Sequence, residues 1–281
     1  MIIKDIREKI ISTLENAKIE RTHYEADLIL SYVLSLDKAL IFAHYYDEVQ
    51  LVDYKIIIEM VTQRTKRVPL SYILGVSEFY GYTFKVGSGC LIPRPETELL
   101  VEEMLTLSQN AKRFADWCTG SGCIGISMLL ENPNYSCYAI DASEEALIWA
   151  KINAKHHNIE ERFIPILNSS PEFCDIEKKS LDFIISNPPY IPSKDILTLM
   201  SDVKDYEPRI ALDGGEQGLD VYRLIMNAAE KFLVPSGYIA FETAGAWQIE
   251  LLKEEFFPKY KYIKEIFDYA GIPRHVIFQL K

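Results

Sequence analysis

The stretch Phe114-Ala115-Asp116-Trp117-Cys118-Thr119-Gly120-Ser121-Gly122-Cys123-Ile124-Gly125 carries the strongest signal for the fold. A short apolar strand runs into a turn that contains Gly120 and Gly122, and helical positions follow. This order is typical of the carboxyl edge of a parallel sheet, where such folds bind ligands. Glycine has no Cβ, so the backbone of the turn can approach a ligand closely. Gly-x-Gly turns also occur in dinucleotide-binding domains, so the turn alone does not identify the ligand.

Strand and helix patterns alternate from about Pro95 onward. Such alternation predicts an α/β fold with a doubly wound, mostly parallel sheet and helices on both faces. The last two strands, at residues 262–267 and 275–280, are joined by a loop too short for a crossover helix. We therefore expect a seven-stranded Rossmann-like sheet with an antiparallel edge hairpin. The other predicted strands are residues 114–117, 135–140, 163–167, 181–186 and 238–241, and the predicted helices are residues 123–130, 143–157 and a long helix after Gly218.

The first ~65 residues have a different pattern, with apolar residues at three- and four-residue steps and no strand alternation. Val68-Pro69 ends this region, because proline removes a backbone donor and restricts the residue before it. A period of two from Tyr82 to Val86 then predicts half of a hairpin that turns near Tyr80-Gly81. We therefore expect a small all-α domain at residues 1–67, a β-hairpin connector at residues 68–90 and the α/β domain at residues 91–281.

The composition limits the classes of function. The net charge is −11, and a protein that grips nucleic acid along its backbone usually has a basic face. No apolar run is long enough to span a membrane, and the first residues mix charged and apolar side chains without a signal-peptide core, so we expect a cytoplasmic protein. The five cysteines form no CxxC pair and have no histidine partners at zinc spacing, which predicts reduced thiols and no metal site.

Asp141 ends the second predicted strand, about 20 residues after the glycine turn. A carboxylate at this place is positioned to accept both hydroxyl groups of an adenosine ribose. The alternative is that Asp141 only caps the helix that begins near Glu144, a role that Ser143 can also fill.

The run Asn187-Pro188-Pro189-Tyr190 follows the apolar strand at residues 181–186. A planar amide or aryl amine is a poor nucleophile, because its lone pair is delocalised. If the Asn187 side-chain oxygen and the Pro188 carbonyl each accept one N–H, the lone pair is aimed at a methyl donor. Tyr190 can stack on the flat group. The simpler alternative is that two prolines stop the strand, but the combination favours nitrogen methylation with S-adenosylmethionine as the donor.

Three runs together resemble the HemK/PrmC family of release factor glutamine methyltransferases. They are Leu91-Ile92-Pro93-Arg94-Pro95-Glu96-Thr97-Glu98, the Asn-Pro-Pro-Tyr motif, and Glu207-Pro208-Arg209-Ile210-Ala211-Leu212-Asp213-Gly214-Gly215. The Asn-Pro-Pro-Tyr motif is shared with enzymes that methylate exocyclic amines of adenine and cytosine, whereas the other two runs are much more specific. The resemblance extends over the helical N-terminal region as well.

The resemblance implies a Rossmann-like methyltransferase domain that methylates the glutamine in the Gly-Gly-Gln motif of class I peptide-chain release factors. S-adenosylmethionine is the implied cofactor and S-adenosylhomocysteine the product. The implied partner is the release factor. Because the glycine turn, Asp141 and Asn187 all lie after the connector, we expect residues 1–67 to grip this protein substrate, and we expect neither a membrane nor sequence-specific nucleic acid as a partner. The implied catalytic residues are Asn187, Pro188 and Tyr190, and Pro189 and Phe79 join them in binding the glutamine. The implied cofactor-binding residues are Cys118, Thr119, Gly120, Ser121, Gly122, Asp141, Ala142 and Asn187.

Two positions depart from the family pattern. The family has glycine where this chain has Cys118, and a Cβ restricts the turn. Ser170 stands where the family has an acid near the adenine, which leaves Asn168 or Ser169 as the expected adenine contact. Two other classes of function stay open on the sequence: a methyltransferase acting on exocyclic amines of DNA or RNA bases, and a non-catalytic scaffold that has kept the cofactor fold.

Overall fold

The computed structural model describes residues 1–169 and 175–281, which form two compact units. The first unit comprises Met1–Val76 and Met200–Tyr206, and the second comprises Ser77–Leu199 and Glu207–Lys281. Within the described residues, no helix has both the length and the apolar character needed to cross a membrane.

In chain order, the helices are α1 (Ile3–Asn16), α2 (Thr22–Leu34), α3 (Leu51–Thr65), α4 (Leu70–Leu74), α5 (Glu98–Leu107), α6 (Cys123–Glu131), α7 (Glu144–His156), α8 (Ser201–Lys204), α9 (Asp220–Phe232) and α10 (Ala246–Phe256). The strands are β1 (Val76–Phe79), β2 (Tyr82–Lys85), β3 (Arg113–Trp117), β4 (Ser136–Asp141), β5 (Phe163–Leu167), β6 (Leu181–Ser186), β7 (Leu233–Glu242), β8 (Tyr260–Phe267) and β9 (Pro273–Leu280).

The first unit is helical, as its apolar spacing predicts. Ile6, Ile10 and Leu14 lie on one face of α1 and are almost fully buried against α2 and α3. The segment Met200–Tyr206, which includes the short helix α8, belongs to the same unit although it lies far along the chain. The unit is therefore built from two separate pieces of sequence.

The second unit contains the predicted doubly wound sheet. Its strand order is β5-β4-β3-β6-β7-β9-β8, in which β9 is antiparallel to both of its neighbours, β7 and β8, and the remaining neighbours are parallel. The fold class is therefore confirmed, including the edge hairpin. The order changes direction between β3 and β6, and in open α/β sheets the ligand crevice lies at such a switch point.

Both faces of this sheet are covered by helices, because successive strand residues point to opposite sides. Along β6, Phe183 and Ile185 pack into one buried cluster and Ile184 into the other. The rings of Phe114 and Phe183, on neighbouring strands, stack with centroids 4.8 Å apart. Continuous apolar runs in these strands follow from burial on both faces.

The helix α10 has no counterpart in the sequence prediction. Its outward face carries the exposed Trp247 and Leu251, and its inward face carries the fully buried polar residue Gln248. Because the solvent face carries apolar side chains and the buried face carries a polar one, the helical spacing of apolar residues is weak in this segment.

The strand register decides which residues meet at the carboxyl edge. Ser186 of β6 pairs with Trp117 on one side and with Phe241 on the other. The next residue of each strand therefore emerges at the same level of the edge, namely Cys118, Asn187 and Glu242. Asp141 ends β4 on the far side of β3.

Candidate active site

A cleft lies at this edge, with an empty volume of about 800 Å³ that includes the space open to solvent at its mouth. Its floor is formed by the turn after β3, the end of β4 and the segment after β6, and its remaining walls are largely apolar. Concave, largely apolar clefts with a few polar groups are typical of small-molecule sites. The predicted site residues that line the cleft are Cys118, Gly120, Asp141, Ala142, Asn187 and Pro189. Thr119 and Ser121 line a smaller adjoining cavity that shares Gly120 and Asn187 with the cleft.

The turn after β3 is braced by Asp116, which is fully buried. Its Oδ2 accepts hydrogen bonds from Thr119 Oγ1 at 2.6 Å and from the Gly125 N–H at 2.9 Å. Its Oδ1 has no hydrogen-bond partner among the described residues. Burial raises the pKa of the Asp116 carboxyl to about 7. Asp116 was not among the predicted site residues, although a charged residue inside an apolar strand was a visible signal.

The backbone of the same turn is left-handed at three positions. Cys118 has φ 61°, Gly120 has φ 57° and Gly122 has φ 84°. The left-handed region costs a residue with a Cβ about 1–2 kcal/mol, so Cys118 is held in a conformation that favours glycine. The sequence departure at Cys118 is therefore a point of local strain beside the cleft.

The two predicted glycines have different roles. A Cβ on Gly120 would meet nothing within 4 Å, and its N–H donates to Asp141 at the cleft. A Cβ on Gly122 would lie 2.8 Å from Ile126 Cδ1 and 3.2 Å from the Phe163 ring. Gly122 therefore allows close packing inside the core, and its expected contact with the cofactor stays a prediction.

The Asp141 carboxylate is fixed by two backbone donors. Oδ2 accepts from the Gly120 N–H at 2.8 Å, and Oδ1 accepts from the Ser143 N–H at 2.9 Å. Burial raises its pKa. Ser143 itself caps α7 by accepting the Ala146 N–H at 3.2 Å, so Asp141 is not needed as the cap. Each carboxylate oxygen keeps lone-pair capacity for a further donor such as a hydroxyl.

The segment after β5 reaches the same cleft. Asn168 and Ser169 line it, and the Asn168 N–H donates to the Asp141 carbonyl at 2.8 Å. Ser170, which stands where the family pattern has an acid, lies outside the described residues.

Asn187 lies between the cleft and its adjoining cavity. Its Nδ2 donates to Thr97 Oγ1 at 3.2 Å, and Thr97 Oγ1 in turn donates to Glu242 Oε2 at 2.5 Å. The Tyr190 hydroxyl donates to the other Glu242 oxygen at 3.3 Å. Pro188 is buried, next to Asn187 in the chain. Sequence reasoning missed Thr97 and Glu242, although Glu242 follows an apolar strand in the same way as Asn187 and Asp141 do.

Phe79 is not brought to the cleft. It is 1% exposed and packs against Phe84 of the same hairpin, with ring centroids 6.1 Å apart. The hairpin is joined to α7 and to the turn after β3 through the buried Asn153 of α7, whose Nδ2 donates to the Lys85 and Ser121 carbonyls at 2.9 Å each. Phe79 is thus a buried residue of the hairpin, and its expected role in binding the glutamine stays a prediction.

The two most specific sequence runs meet in space. Arg94 Nη2 lies 2.5 Å from Glu207 Oε1, and the Ile92 N–H donates to Glu207 Oε2 at 3.3 Å. Glu98 accepts the Tyr80 N–H at 2.9 Å, which joins the start of α5 to the hairpin. Pro208, Ile210 and Ala211 follow Glu207 and line the cleft. The ion pair therefore anchors one of the cleft walls.

Two protein families match separate parts of the chain. Residues 5–75 match the family described as PrmC N-terminal domain, and residues 95–202 match the Methyltransferase small domain. Among solved structures, the hMettl16 catalytic domain in complex with MAT2A 3'UTR hairpin 6 has a TM-score of 0.55 at 15% identity, with 83% of this chain and 86% of that chain covered. The ribosomal protein L11 methylase from Lactobacillus delbrueckii subsp. bulgaricus has a TM-score of 0.50 at 16% identity, with 70% and 85% covered. Identities this low show the fold alone.

Similarity to whole proteins is much stronger. The release factor glutamine methyltransferase of Clostridium acetobutylicum is 40% identical over 245 residues, which is 86% of each chain. That of Thermodesulfovibrio yellowstonii is 36% identical over 259 residues, or 91% of each chain. That of Bacillus cereus is 34% identical over 275 residues, or 95% of each chain. The chain therefore belongs to the release factor glutamine methyltransferase family, and it is an S-adenosylmethionine-dependent enzyme.

Proposed function

We propose that this enzyme transfers a methyl group from S-adenosylmethionine to the side-chain amide nitrogen of the glutamine in the Gly-Gly-Gln motif of class I peptide-chain release factors. The observation that carries the proposal is the orientation of Asn187, whose Nδ2 is taken by Thr97 at the edge of the cleft. Its side-chain oxygen is then left to accept an N–H from a substrate amide. The names of the full-length relatives supply the identity of that substrate.

The cleft has the chemistry that the cofactor requires. Asp141 holds its two oxygens fixed at the wall and retains acceptor capacity for two ribose hydroxyls. Apolar side chains such as Leu91, Val221 and Ile225 offer surface to a flat base. The Gly120 backbone is open to a ligand. When bound, S-adenosylmethionine supplies an electrophilic methyl group on a sulfonium.

The protein's task is to orient a weak nucleophile. The Asn187 side-chain oxygen and the Pro188 carbonyl each accept one hydrogen of the glutamine amide, which fixes the plane of the –NH₂ group. The Tyr190 ring packs on that plane. With the cofactor bound, the nitrogen would form a bond to the methyl carbon as the C–S bond breaks, which would leave S-adenosylhomocysteine, and it would release one of the two hydrogens as a proton to solvent. Holding reactants in the reactive geometry is worth several kcal/mol of the barrier.

The two units suggest a division of labour. All the residues that line the cleft lie at Gly89 or beyond, which fits cofactor binding by residues 91–281 with the end of the connector forming part of the wall. Residues 1–67 are then left to grip the protein substrate, and residues 68–90 connect the two. Release factors act in the cytoplasm, which is where we place the enzyme.

The test is a labelling experiment. The enzyme is incubated with methyl-labelled S-adenosylmethionine and, separately, with a release factor, the same factor with its Gly-Gly-Gln glutamine replaced by alanine, DNA and RNA. The proposal predicts label in the intact factor alone, on the glutamine amide by mass spectrometry. Label in DNA or RNA would favour the exocyclic-amine alternative, and label in none of the four would favour a non-catalytic scaffold.

A further inference from the structure

We propose that Glu242 is a positioning residue for methyl transfer, because it orients the Asn187 side-chain amide through Thr97 and holds the Tyr190 hydroxyl directly. The proposal rests on the proposed function, in which the Asn187 oxygen accepts an N–H from the substrate amide.

Glu242 is held at a defined place on the sheet edge. It ends β7, one residue after Phe241, whose partner Ser186 directly precedes Asn187. Its carbonyl accepts the buried Tyr222 hydroxyl at 2.6 Å, and its backbone pairs with His275 of β9. The residue is 2% exposed. The position of its carboxylate is therefore set by the sheet and not by a mobile loop.

The direction of each hydrogen bond follows from the donors available. A carboxylate only accepts, so the single hydroxyl proton of Thr97 is used on Glu242 Oε2. The Thr97 oxygen is then left as an acceptor, and the group of Asn187 that can donate to it is the –NH₂. The amide is therefore turned with Nδ2 towards Thr97 and Oδ1 away from it. Hydrogen-bond networks of this kind are what decide the two possible orientations of an asparagine amide.

The second carboxylate oxygen of Glu242 holds Tyr190, the last residue of the Asn-Pro-Pro-Tyr motif. It accepts the Tyr190 hydroxyl at 3.3 Å. Burial and, after it, the charge of Glu242 raise the pKa of Tyr190, which keeps this hydroxyl protonated as the donor. One carboxylate thus fixes both Asn187 and Tyr190, the first and last residues of the motif.

His275 lies beside this carboxylate without a hydrogen bond to it. It is fully buried, with Nε2 3.6 Å from Glu242 Oε2, and its ring nitrogens have no hydrogen-bond partner in the part of the chain that the structure describes.

The opposite orientation of the Asn187 side-chain amide would slow methyl transfer. With the amide reversed, Nδ2 would face the substrate –NH₂, and two donors would meet with no acceptor between them. The nitrogen lone pair would then lose one of the two contacts that aim it. A reversed amide therefore lowers the rate of methyl transfer more than it lowers the affinity for the cofactor.

The main test compares two substitutions at Thr97 in the full-length enzyme. Thr97→Val keeps the shape and removes the hydroxyl, whereas Thr97→Ser keeps the hydroxyl and removes the methyl group. We expect kcat on the release factor to fall by about tenfold or more in Thr97→Val and to be largely retained in Thr97→Ser. We expect the affinity for S-adenosylmethionine, measured by calorimetry, to change by less than about threefold in both variants, since neither removes a direct cofactor contact.

Glu242→Gln is the second variant. Glutamine has a single acceptor oxygen, so either Thr97 or Tyr190 loses its acceptor, and kcat should again fall by about tenfold. A variant that unfolds is recognised by its thermal transition. In that case the Thr97 pair decides alone, because valine keeps the shape of threonine without its hydroxyl, whereas serine keeps the hydroxyl without the methyl group.

A structural measurement makes the proposal independent of activity. In the wild-type enzyme, nuclear Overhauser effects should join the Asn187 side-chain N–H hydrogens to Thr97 protons. Their absence, or a kcat within about twofold of wild type in both Thr97→Val and Glu242→Gln, would overturn the role of Glu242. A wild-type enzyme that shows these effects but leaves the release factor unlabelled would contradict the proposed function and not the orientation.

Discussion

The Asp141 carboxylate and the Gly120 backbone N–H are joined by a hydrogen bond of 2.8 Å. The glycine turn after β3 and the acid after β4 are thus parts of one rigid structure, although 21 positions separate them in the chain. The carboxylate faces the cleft with its orientation already fixed, so little reorganisation is needed when a ligand binds.

Substituting Asp141 should weaken the cofactor complex. Asp141→Ala removes two expected hydrogen bonds from a charged acceptor, worth about 1.5–3 kcal/mol each, so we expect the affinity for S-adenosylmethionine to fall more than tenfold. Calorimetric titration measures this directly. Asp205→Ala, at a carboxylate that does not line the cleft, is the control and should bind normally. Unchanged affinity in Asp141→Ala would remove Asp141 from the cofactor site.

The strain at Cys118 predicts a stabilising effect of glycine. Cys118→Gly and Cys118→Ala both lose the thiol. Glycine has no Cβ and adopts φ 61° freely, whereas the Cβ of alanine would clash with the backbone. We expect the glycine variant to exceed the alanine variant by about 1 kcal/mol in the free energy of unfolding. Urea unfolding of the two proteins tests this, and an alanine variant at least as stable as the glycine variant would show that the left-handed turn stores no strain.

The raised pKa of Asp116 should make the free energy of unfolding depend on pH. Burial raises its pKa to about 7 in the folded protein, against 3.8 for an unperturbed aspartate. Between these values the folded state binds more protons than the unfolded state, so the stability contributed by Asp116 falls as the pH rises from about 4 to about 7 and is constant above. Asparagine does not titrate. The unfolding free energy of wild type minus that of Asp116→Asn should therefore decrease across this window, by a few kcal/mol in order of magnitude. A difference independent of pH would contradict the raised pKa.

Substituting Arg64 should greatly lower the stability of the helical unit. It is paired with Glu25 at 2.7 Å and with Asp202 at 2.7 Å, and the side chains of all three are at most 16% exposed. Arg64→Ala leaves the nearly buried Glu25 without this cation and leaves Asp202 with the longer contact to Arg67 at 3.6 Å, which costs about 3–5 kcal/mol. The control is Arg113→Ala, because Arg113 pairs with Glu177 at the surface, where loss of a pair costs less than about 1 kcal/mol. Equal small effects in chemical denaturation would show that the Arg64 network is not stabilising.

The sequence prediction succeeded where one periodic signal dominates. The apolar runs that became β3 to β6 were found within a residue or two, because strands buried on both faces read as continuous apolar stretches. Because the carboxyl ends of parallel strands meet at one edge, these runs also predict that Asp141 and Asn187 lie at the same edge. Strand order and register were not needed for that step.

The remaining features depend on packing that no local pattern reveals. Gly122 looks like Gly120 in sequence, but only the packed core shows that Ile126 occupies the space of its Cβ. The sequence does not show that Phe79 is buried against Phe84 of the same hairpin. Thr97 and Glu242 are 145 positions apart, and their contact requires the full sheet order. Long-range neighbours of this kind are set by topology.

Asn187→Asp separates orientation from charge in the proposed mechanism. Aspartate keeps an acceptor oxygen of nearly the same reach but loses the donor to Thr97 and adds a negative charge. We expect measurable activity, well above that of Asn187→Ala and below that of wild type, in multiple-turnover assays on the release factor. If aspartate and alanine were equally inactive, a retained acceptor oxygen would not be the decisive feature.

The most direct test of the central claim is the single-turnover rate of methyl transfer in Asn187→Ala. It is measured at saturating S-adenosylmethionine on the intact release factor and corrected for the folded fraction. Loss of one orienting acceptor predicts a fall of about two orders of magnitude or more, with cofactor affinity changed far less. A rate close to that of wild type would contradict the assignment of Asn187 as the group that orients the glutamine amide.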